Sequence, residues 1–257
     1  MALVGLVVWS CSAEKAERPP LWQGGGTTTG SFPVGGVGTG EGNNEGGAGN
    51  SEGETVATGQ VETFQDARFI LTAPYTEAAQ IWVMERAGSD STRVDYNGMS
   101  FTTPLTRRSQ WMAVQPDFDQ THMTTISLWD GIEVDPTLNI VPRAVLSDIL
   151  GGLIGATTVS DARAHALIQV FDPDGKTPMA GVMPTVGAAE GIAFYDQGVW
   201  SDVDDMTAQS GLFLAYNISA GPLVGQDNQV ILSGTVDAEF SVRLAEGAVT
   251  IVTYVSK

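Results

Sequence analysis

The stretch that decides the fold runs from residue 166 to residue 221. It reads Ala166-Leu-Ile-Gln-Val-Phe171, then Asp172-Pro-Asp-Gly175, then Pro178-Met-Ala-Gly-Val182, and further on Thr207-Ala-Gln-Ser-Gly211-Leu-Phe-Leu-Ala-Tyr216-Asn-Ile-Ser-Ala-Gly221. Apolar segments rich in strand-forming residues alternate here with the Gly, Pro and Asp residues that favour turns. This alternation predicts short β-strands joined by tight turns.

Strands of the same kind are predicted on both sides of this stretch. They cover residues 68–72, 80–84, 99–103, 110–114 and 124–129 upstream, and 166–171, 192–195, 212–217, 229–232, 239–244 and 248–255 from the stretch onward. Between the two groups lies one helix candidate, whose apolar residues recur at four-residue spacing: Val141, Val145, Ile149 and Leu153. Pro142 suits its first turn and Gly151-Gly152 suits its end. The sequence therefore predicts a mostly β protein, built of antiparallel β-sandwich modules with one short helix.

The composition indicates a folded body with an acidic surface. Of the 257 residues, 42% are hydrophobic, which is enough for a substantial core. The 30 acidic and 12 basic residues give a formal net charge of -18. A charge of this sign repels the phosphates of nucleic acids, so we expect no nucleic-acid partner. The single cysteine, Cys11, excludes an intrachain disulfide.

An apolar run precedes Cys11. Residues 2–9 read Ala-Leu-Val-Gly-Leu-Val-Val-Trp, which suits the hydrophobic region of a signal peptide and is too short for a membrane-spanning helix of about 20 residues. With Ser10, the end of this run resembles the processing site of bacterial lipoproteins. The resemblance implies a signal peptide over residues 1–10 and a mature chain that begins at Cys11 with acyl chains on its sulfur. It also implies a membrane anchor at the bacterial cell envelope, at the outer membrane or the cell surface.

Residues 11–60 are predicted to be a disordered tether. Within the segment 24–59, 14 of 36 residues are glycine and none is Lys or Arg. Such a segment buries too little apolar surface to offset the entropy lost on ordering. As a flexible coil it spans roughly 30 to 36 Å, which is enough to hold a folded body away from a lipid surface.

Turn residues in the opening stretch carry a family resemblance. The segments Asp172-Pro-Asp-Gly175, Pro178-Met-Ala-Gly181-Val182, Thr207-Ala-Gln-Ser-Gly211-Leu-Phe213 and Asn217-Ile-Ser-Ala-Gly221 resemble the carboxypeptidase regulatory-like domain. The resemblance implies a transthyretin-like β-sandwich over residues 161–257. Upstream of it we predict a β-rich module over residues 61–134 and a helix-containing connector over residues 135–160. Because the matching residues form turns, the resemblance implies a fold and no catalytic activity.

Candidate functional side chains are few. The two histidines, His122 and His165, have no metal-ligand partner at helical or strand spacing, and the chain contains no Gly-x-Ser-x-Gly nucleophile motif. The candidate ligands for Ca²⁺, the one cofactor considered, are Asp172, Asp174, Asp202, Asp204 and Asp205. Turn formation alone also explains the first two of these acids. The candidates for a sugar-stacking face are Trp82, Trp111 and Trp129, although their apolar neighbours in sequence favour positions in the core.

Together these features predict a non-enzymatic, membrane-anchored lipoprotein. Its β-sandwich modules would serve a structural or binding role at the cell envelope, with a protein or a glycan as partner. Two other functions stay open at this point. One is an accessory domain or hydrolase that acts through an acidic cleft, and the other is an adhesion module stabilised by calcium.

Overall fold

The computed structural model describes residues 56–256, apart from residues 86–90, 107, 117–119, 130, 132, 157 and 221–226. This part of the chain contains sixteen strands and one helix. They are β1 (Val56–Phe64), β2 (Thr72–Pro74), β3 (Ala79–Glu85), β4 (Ser91–Tyr96), β5 (Phe101–Pro104), β6 (Gln110–Pro116), β7 (His122–Trp129), β8 (Thr137–Pro142), α1 (Arg143–Ile154), β9 (Ala164–Phe171), β10 (Val182–Val186), β11 (Gly191–Asp196), β12 (Val199–Ser201), β13 (Leu212–Ile218), β14 (Asp227–Gly234), β15 (Ala238–Arg243) and β16 (Ala248–Val255). No helix among the described residues is long and apolar enough to cross a membrane.

A main sheet of nine strands organises the body, in the order β12-β11-β13-β9-β16-β7-β6-β3-β4. The last strand of the chain, β16, lies in its middle and runs parallel to both of its neighbours, β9 and β7. The other neighbouring pairs along this path are antiparallel. The prediction of a mostly β protein with one helix is confirmed, although the sheet is mixed where antiparallel pairing was expected throughout.

One face of the main sheet is covered by a three-stranded sheet in the order β10-β14-β15. Side chains of alternate residues in the main sheet point to this side, because successive residues of a strand face opposite ways. Trp111, Ile126 and Ile168 from three of its strands share a core with Val182 and Val230 of the smaller sheet. The two layers form a β-sandwich to which strands from both halves of the chain contribute.

The opposite face of the main sheet is covered by α1 and by a second set of strands. In this set β1 pairs antiparallel with β2 and β5 and parallel with β8. Val61 and Ile140 of this layer pack against Ile81 and Met112 of the main sheet. Because the central strands are covered on both faces, they read as nearly continuous apolar runs, such as Trp-Met-Ala-Val in β6.

The helix is present where the spacing predicts it. Leu146, Ile149 and Leu150 are buried against the main sheet. Pro142 precedes the first helical residue as predicted, but the helix continues through Gly151-Gly152 and ends at Gly155, whose left-handed backbone caps it. Gly151 and Gly152 have a low helix propensity but do not end the helix, because burial of its apolar face stabilises it.

Folded structure begins earlier than predicted, which corrects the end of the tether. Strand β1 starts at Val56, inside the segment 11–60, and buries Ala57, Gly59 and Val61 at every second position. An added Cβ on Gly59 would lie 2.3 Å from the Phe101 ring and 2.5 Å from the carbonyl oxygen of Pro136. This glycine therefore serves close packing in a strand, although its neighbours in sequence suggest a flexible linker. The rest of the predicted tether and the signal peptide lie outside the described residues.

One predicted strand is wrong. Residues 68–71 of the predicted strand 68–72 form a loop, and only Thr72 belongs to a strand. Asp66 causes this, because its side chain accepts hydrogen bonds from the N–H groups of Ile70 and Leu71 and so competes with sheet pairing. The proposed module boundaries at 134/135 and 160/161 remain predictions, and the main sheet runs continuously across both.

Candidate functional site

A groove lies where the two layers around β7 separate. Strand β8 pairs with β7 only at Met123↔Val141 and His122↔Pro142. Residues 124–127 of β7 pair with β16 instead. Because β16 occupies this part of the edge, β8 leaves the main sheet and pairs with β1 instead. The divergence leaves a space of about 320 Å³, which we call the central groove. Its floor comes from β9, β13 and β16, its roof from β1, β2 and β8, and its rim from the loop 66–71.

The floor of the central groove is a flat patch of the main sheet. In one row across the sheet, Ile251 of β16 lies beside Leu167 of β9, and in the next row Thr253 lies beside Gln169, which pairs with Leu212 of β13. All five side chains line the groove. The floor thus offers aliphatic side chains, with the polar groups of Thr253 and Gln169 beside them.

The roof strands contribute polar side chains to the groove. In β8, Leu138 and Ile140 enter the core, so Thr137 and Asn139 face the groove. The Oδ1 atom of Asn139 is buried and has no hydrogen-bond partner among the described residues. In β1, the Glu62 carboxylate reaches the groove and accepts a hydrogen bond of 2.6 Å from the Thr72 hydroxyl. A buried acceptor without a donor costs about 1–3 kcal/mol.

The rim loop 66–71 is held in a strained conformation. Phe69 has a φ of 55, a left-handed backbone that is unfavourable for a bulky side chain. Its ring packs edge-on against Phe64, with centroids 5.2 Å apart, and against Trp200 at 6.2 Å. The Trp200 indole also donates a hydrogen bond of 2.8 Å to the Ala67 carbonyl. Strain that the surroundings maintain in this way is typical of ligand-binding loops.

The charges of the rim compensate each other. The Arg68 guanidinium donates to the Asp66 carboxylate over 2.7 Å. Burial alone would raise the pKa of Asp66, but the hydrogen bonds from Arg68, Ile70 and Leu71 outweigh it and hold that pKa below its ordinary value. Asp66 is therefore ionised in the neutral pH range, and the rim is a compact, internally paired element.

The central groove has the features of a small-ligand site. Its volume of about 320 Å³ lies at the lower end of the range for ligand pockets, roughly 300–1,000 Å³. Its lining combines aliphatic and aromatic surface with a few polar groups from several separate elements. A lining of this kind can bind and orient a small ligand.

The tryptophans proposed as a stacking face lie elsewhere. Trp111 and Trp129 are buried, with 1% and 3% of their surface exposed, and they belong to different cores. Trp82 is half-buried beside the first of these cores, and its indole donates to the Gln115 side chain over 3.2 Å. Trp111 and Trp129 thus occupy core positions, and the three rings do not form one exposed platform.

Asp172 and Asp174, the first pair of candidate calcium ligands, stabilise the turn in which they lie. The Asp174 side chain accepts hydrogen bonds from the N–H groups of Lys176 and Thr177, and Asp172 accepts one from the Asp174 N–H. The side-chain contact with Asp172 and the bonds from Thr177 and Lys176 lower the pKa of Asp174 to about 2, and the same contact raises the pKa of Asp172. Turn formation accounts for these two residues.

The second group of candidate acids lies in an exposed loop. Asp202, Asp204 and Asp205 are exposed, and Asp202 accepts a hydrogen bond from the Tyr216 hydroxyl over 3.2 Å. Within the described part of the chain, no three His, Cys, Asp or Glu side chains meet as a metal-binding group. Cys11, the proposed lipidation site, lies outside the described residues.

The two histidines occupy structural positions. His165 is fully buried in β9, where burial lowers its pKa to about 4. His122 contacts the hydroxyls of Thr63 and Thr121, each over 3.0 Å. Neither histidine lines the central groove.

The groove residues are not predicted from the sequence, because they come from six separate strands and one loop. Glu62 lies just after the predicted tether and before the first predicted strand, Asn139 precedes the predicted helix, and Arg68 lies in a segment predicted as a strand. One local signal was present: Asp66 stands four and five residues before Ile70 and Leu71, at a spacing that suits side-chain capping of a loop. No local pattern indicates that β8 and β16 diverge from one edge of β7.

Comparisons with known proteins leave the family open. No protein-family model matches the chain, and the search of curated proteins gave no match. Among solved structures, the Bacillus anthracis TIE protein is 10% identical with a TM-score of 0.24, over 79% of this chain and 34% of that one. The shaft pilin SpaA from Lactobacillus rhamnosus GG is 8% identical with a TM-score of 0.25, over 79% of this chain and 98% of that one.

A third similar structure is the major pilin subunit BcpA of Bacillus cereus, which is 11% identical with a TM-score of 0.25, over 71% of this chain and 61% of that one. This chain spans about a third of the TIE protein. TM-scores at this level do not establish a common fold.

Proposed function

We propose that this chain is a non-enzymatic bacterial lipoprotein, anchored at Cys11 to the cell envelope, whose β-sandwich body binds a ligand in the central groove. The apolar run 2–9 before Cys11 supports the anchor, and the Gly-rich composition of residues 24–55 supports a spacer between the membrane and strand β1. The ligand is a protein or a glycan exposed at the envelope.

One observation carries the binding role. The groove is a space of ligand size lined by aliphatic, aromatic and polar side chains, among them Asn139, whose Oδ1 atom is buried without a partner within the described structure. Folded proteins seldom leave such an atom unpaired, because the desolvation cost is not recovered. A ligand that draws the Asn139 side chain toward the groove and supplies a donor would recover this cost.

We also propose that residues 161–257 are a carboxypeptidase regulatory-like domain. The turn residues that carry the resemblance have defined roles here. The Thr207 hydroxyl donates to the Met179 carbonyl and accepts from the Val182 N–H. Gly211 has a φ of 61 and lies so close to Val170 that an added Cβ would be 2.4 Å from its carbonyl oxygen. Gly221, the last residue of the signature, lies outside the described residues.

The anchor is tested by expressing the full chain in a bacterium with a lipoprotein-processing pathway. We expect the mature protein to begin at Cys11, to carry acyl chains detectable by intact-mass analysis, and to sediment with membranes. The Cys11→Ser variant should lack the acyl mass and leave the membrane fraction. An unmodified wild-type chain that retains residues 1–10 would disprove the anchor.

The binding role is tested by filling the groove. Thr137 is exposed at the groove, so Thr137→Trp should occlude it without disturbing a core. In the full chain carrying Cys11→Ser, this change should abolish co-sedimentation with isolated envelopes. The control is Thr185→Trp, at an exposed position of β10 outside the groove. Equal co-sedimentation of both variants would contradict a binding role for the groove.

A further inference from the structure

The charge of the central groove favours a cationic occupant. Glu62 and Arg68 line it together. The Arg68 guanidinium is already paired with the Asp66 carboxylate over 2.7 Å, whereas Glu62 accepts a hydrogen bond only from the neutral Thr72 hydroxyl among the described residues. The carboxylate of Glu62 therefore leaves a net negative charge at the groove, which attracts a cation and repels an anion.

The lining of the groove suits an extended segment that carries apolar side chains. The rings of Phe64 and Phe69 line it beside Leu167. Aromatic-lined grooves bind proline-rich segments, because such segments are extended before binding and lose little entropy. Their carbonyl groups accept hydrogen bonds, while proline has no N–H to donate. The groove offers donors for these carbonyls in the second amide N–H of Gln169 and the hydroxyl of Thr253.

The sequence before β1 contains a segment that combines these features. Residues 18–22 read Arg18-Pro-Pro-Leu-Trp22, and we call them the proline segment. Between residues 12 and 55 the basic residues are Lys15 and Arg18, and Trp22 is the single tryptophan. Arg18 supplies the cation, the two prolines supply carbonyl acceptors, and Leu21 and Trp22 supply apolar surface. A space of about 320 Å³ holds a few side chains of such a segment and excludes a folded domain.

The proline segment is close enough in sequence to reach the groove. Residues 23–55, which are 33 in number, separate it from Val56, where β1 begins. As the flexible tether that their composition predicts, they span roughly 29 to 34 Å. The groove begins at Glu62, six residues along β1 and therefore about 20 Å from Val56. A linker that covers this distance holds the segment at an effective concentration on the order of 1 mM, so a contact too weak to join separate molecules is still populated.

We infer that the proline segment binds in the central groove of its own chain, with Arg18 beside Glu62 and with Leu21 and Trp22 against the aromatic rim, and that it competes there with the external ligand. This inference rests on the binding role proposed above and adds the regulation of the same site. The proposed anchor, Cys11, lies seven residues before Arg18. The bound segment would therefore hold the body close to the membrane, and its release would free both the groove and the tether.

The contact is tested by disulfide trapping in the full chain carrying Cys11→Ser, which has no other cysteine. One pair of substitutions joins the segment to the groove, Leu21→Cys with Thr137→Cys, because Thr137 is exposed at the groove. The control pair is Ser31→Cys with Thr137→Cys, in which the tether position is ten residues nearer to β1 and outside the proline segment. Under mild oxidation we expect the first pair to form an intramolecular disulfide about fivefold faster than the control pair. Equal rates, or a faster reaction at position 31, would overturn the inference, because the reach of the tether alone explains them.

Charge exchange identifies the residues that make the contact. Arg18→Glu should slow the trapping reaction about two- to fivefold, and adding Glu62→Lys to that variant should restore it. Lys15→Glu makes the same change of charge outside the proline segment, so it should slow the reaction less. If Arg18→Glu and Lys15→Glu have equal effects and Glu62→Lys gives no recovery, the assigned contact is wrong.

Envelope co-sedimentation separates this inference from the binding role. Replacing residues 18–22 by Gly-Ser-Gly-Ser-Gly in the chain carrying Cys11→Ser should increase co-sedimentation, the opposite of the effect expected for Thr137→Trp. If Thr137→Trp abolishes co-sedimentation while the two cysteine pairs react equally, the inference fails and the binding role stands. If trapping is selective but neither change alters co-sedimentation, the competition and the binding role both fail. Disulfide-linked dimers in place of the intramolecular product would show that the segment of a second copy fills the groove, which overturns the contact within one chain.

Discussion

Gly59 shows how much one residue can depend on its partner in space. By composition it belongs to the Gly-rich linker, yet in β1 it provides room for the Phe101 ring. We expect Gly59→Ala to lower the free energy of unfolding by about 1–3 kcal/mol, because the new Cβ overlaps both the ring and the Pro136 carbonyl. Urea denaturation followed by circular dichroism measures the change.

The matched control is the same substitution at Gly152, inside α1. No atom lies within 4 Å of a Cβ built there, and the residue is exposed. Gly152→Ala should raise the free energy of unfolding by about 0.5–1 kcal/mol, because alanine loses less backbone entropy in a helix. If the two variants had equal stability, the packing role of Gly59 would be refuted.

His165 links stability to pH at the residue scale. Burial lowers its pKa from 6.5 to about 4 in the folded state, so between these values the unfolded chain binds the proton more tightly. Stability should therefore be complete above pH 6.5 and fall as the pH drops toward 4, by an amount on the order of 3 kcal/mol.

The test for His165 compares how steeply the unfolding free energy changes with pH in the parent protein and in a variant. Carboxylates titrate near the low end of this range, so the unfolding free energies of the parent protein and His165→Gln are measured from pH 7 to pH 4.5. Glutamine does not ionise, and the variant should show a shallower pH dependence whatever its stability at pH 7. Parallel curves would indicate that His165 does not titrate as inferred.

At the scale of elements, one side chain makes three of the hydrogen bonds that hold the rim loop 66–71. The Asp66 carboxylate accepts from Arg68 and from the N–H groups of Ile70 and Leu71. Asp66→Ala should speed amide hydrogen exchange at Ile70 and Leu71 and lower the unfolding free energy by about 1–2 kcal/mol.

The comparison for this loop is Asp95→Ala, which removes an exposed ion pair with Arg93 at 3.4 Å. Exposed pairs contribute about 0–1 kcal/mol, so this variant should remain close to the parent protein. Exchange at Ile70 that is unchanged in Asp66→Ala would show that ring packing of Phe69 alone holds the loop.

How far the sequence predicts each element depends on where the element is buried. Strands β6, β9 and β13 lie inside the main sheet, and their apolar runs identify them. Strand β4 is the edge of that sheet, and its polar sequence Ser-Thr-Arg-Val-Asp-Tyr gives little strand signal. Strand β1 begins among glycines, so composition hides it. The groove cannot be predicted from local sequence patterns, because it depends on the order of the strands in the sheet and not on any one strand.

At the scale of the molecule, β16 unites the two halves of the chain. It pairs with β7 from the first half over residues 248–251 and with β9 from the second half over residues 249–255. Removing it would leave two unpaired edges in the middle of the main sheet. The modules predicted at 61–134 and 161–257 should therefore unfold together, and calorimetry of the full chain should show one transition.

Two substitutions in β16 examine this coupling. Val249 is buried where the strand contacts both neighbours, while Val255 at its end is 43% exposed. Val249→Asp buries an unpaired charge and should destabilise the protein by about 3–5 kcal/mol, whereas Val255→Asp should have little effect. Hydrogen exchange should show that β6 and β13 lose protection to the same extent in Val249→Asp, because both depend on β16 through β7 and β9. Loss confined to β13, with β6 still protected, would show instead that the first half folds without the last strand.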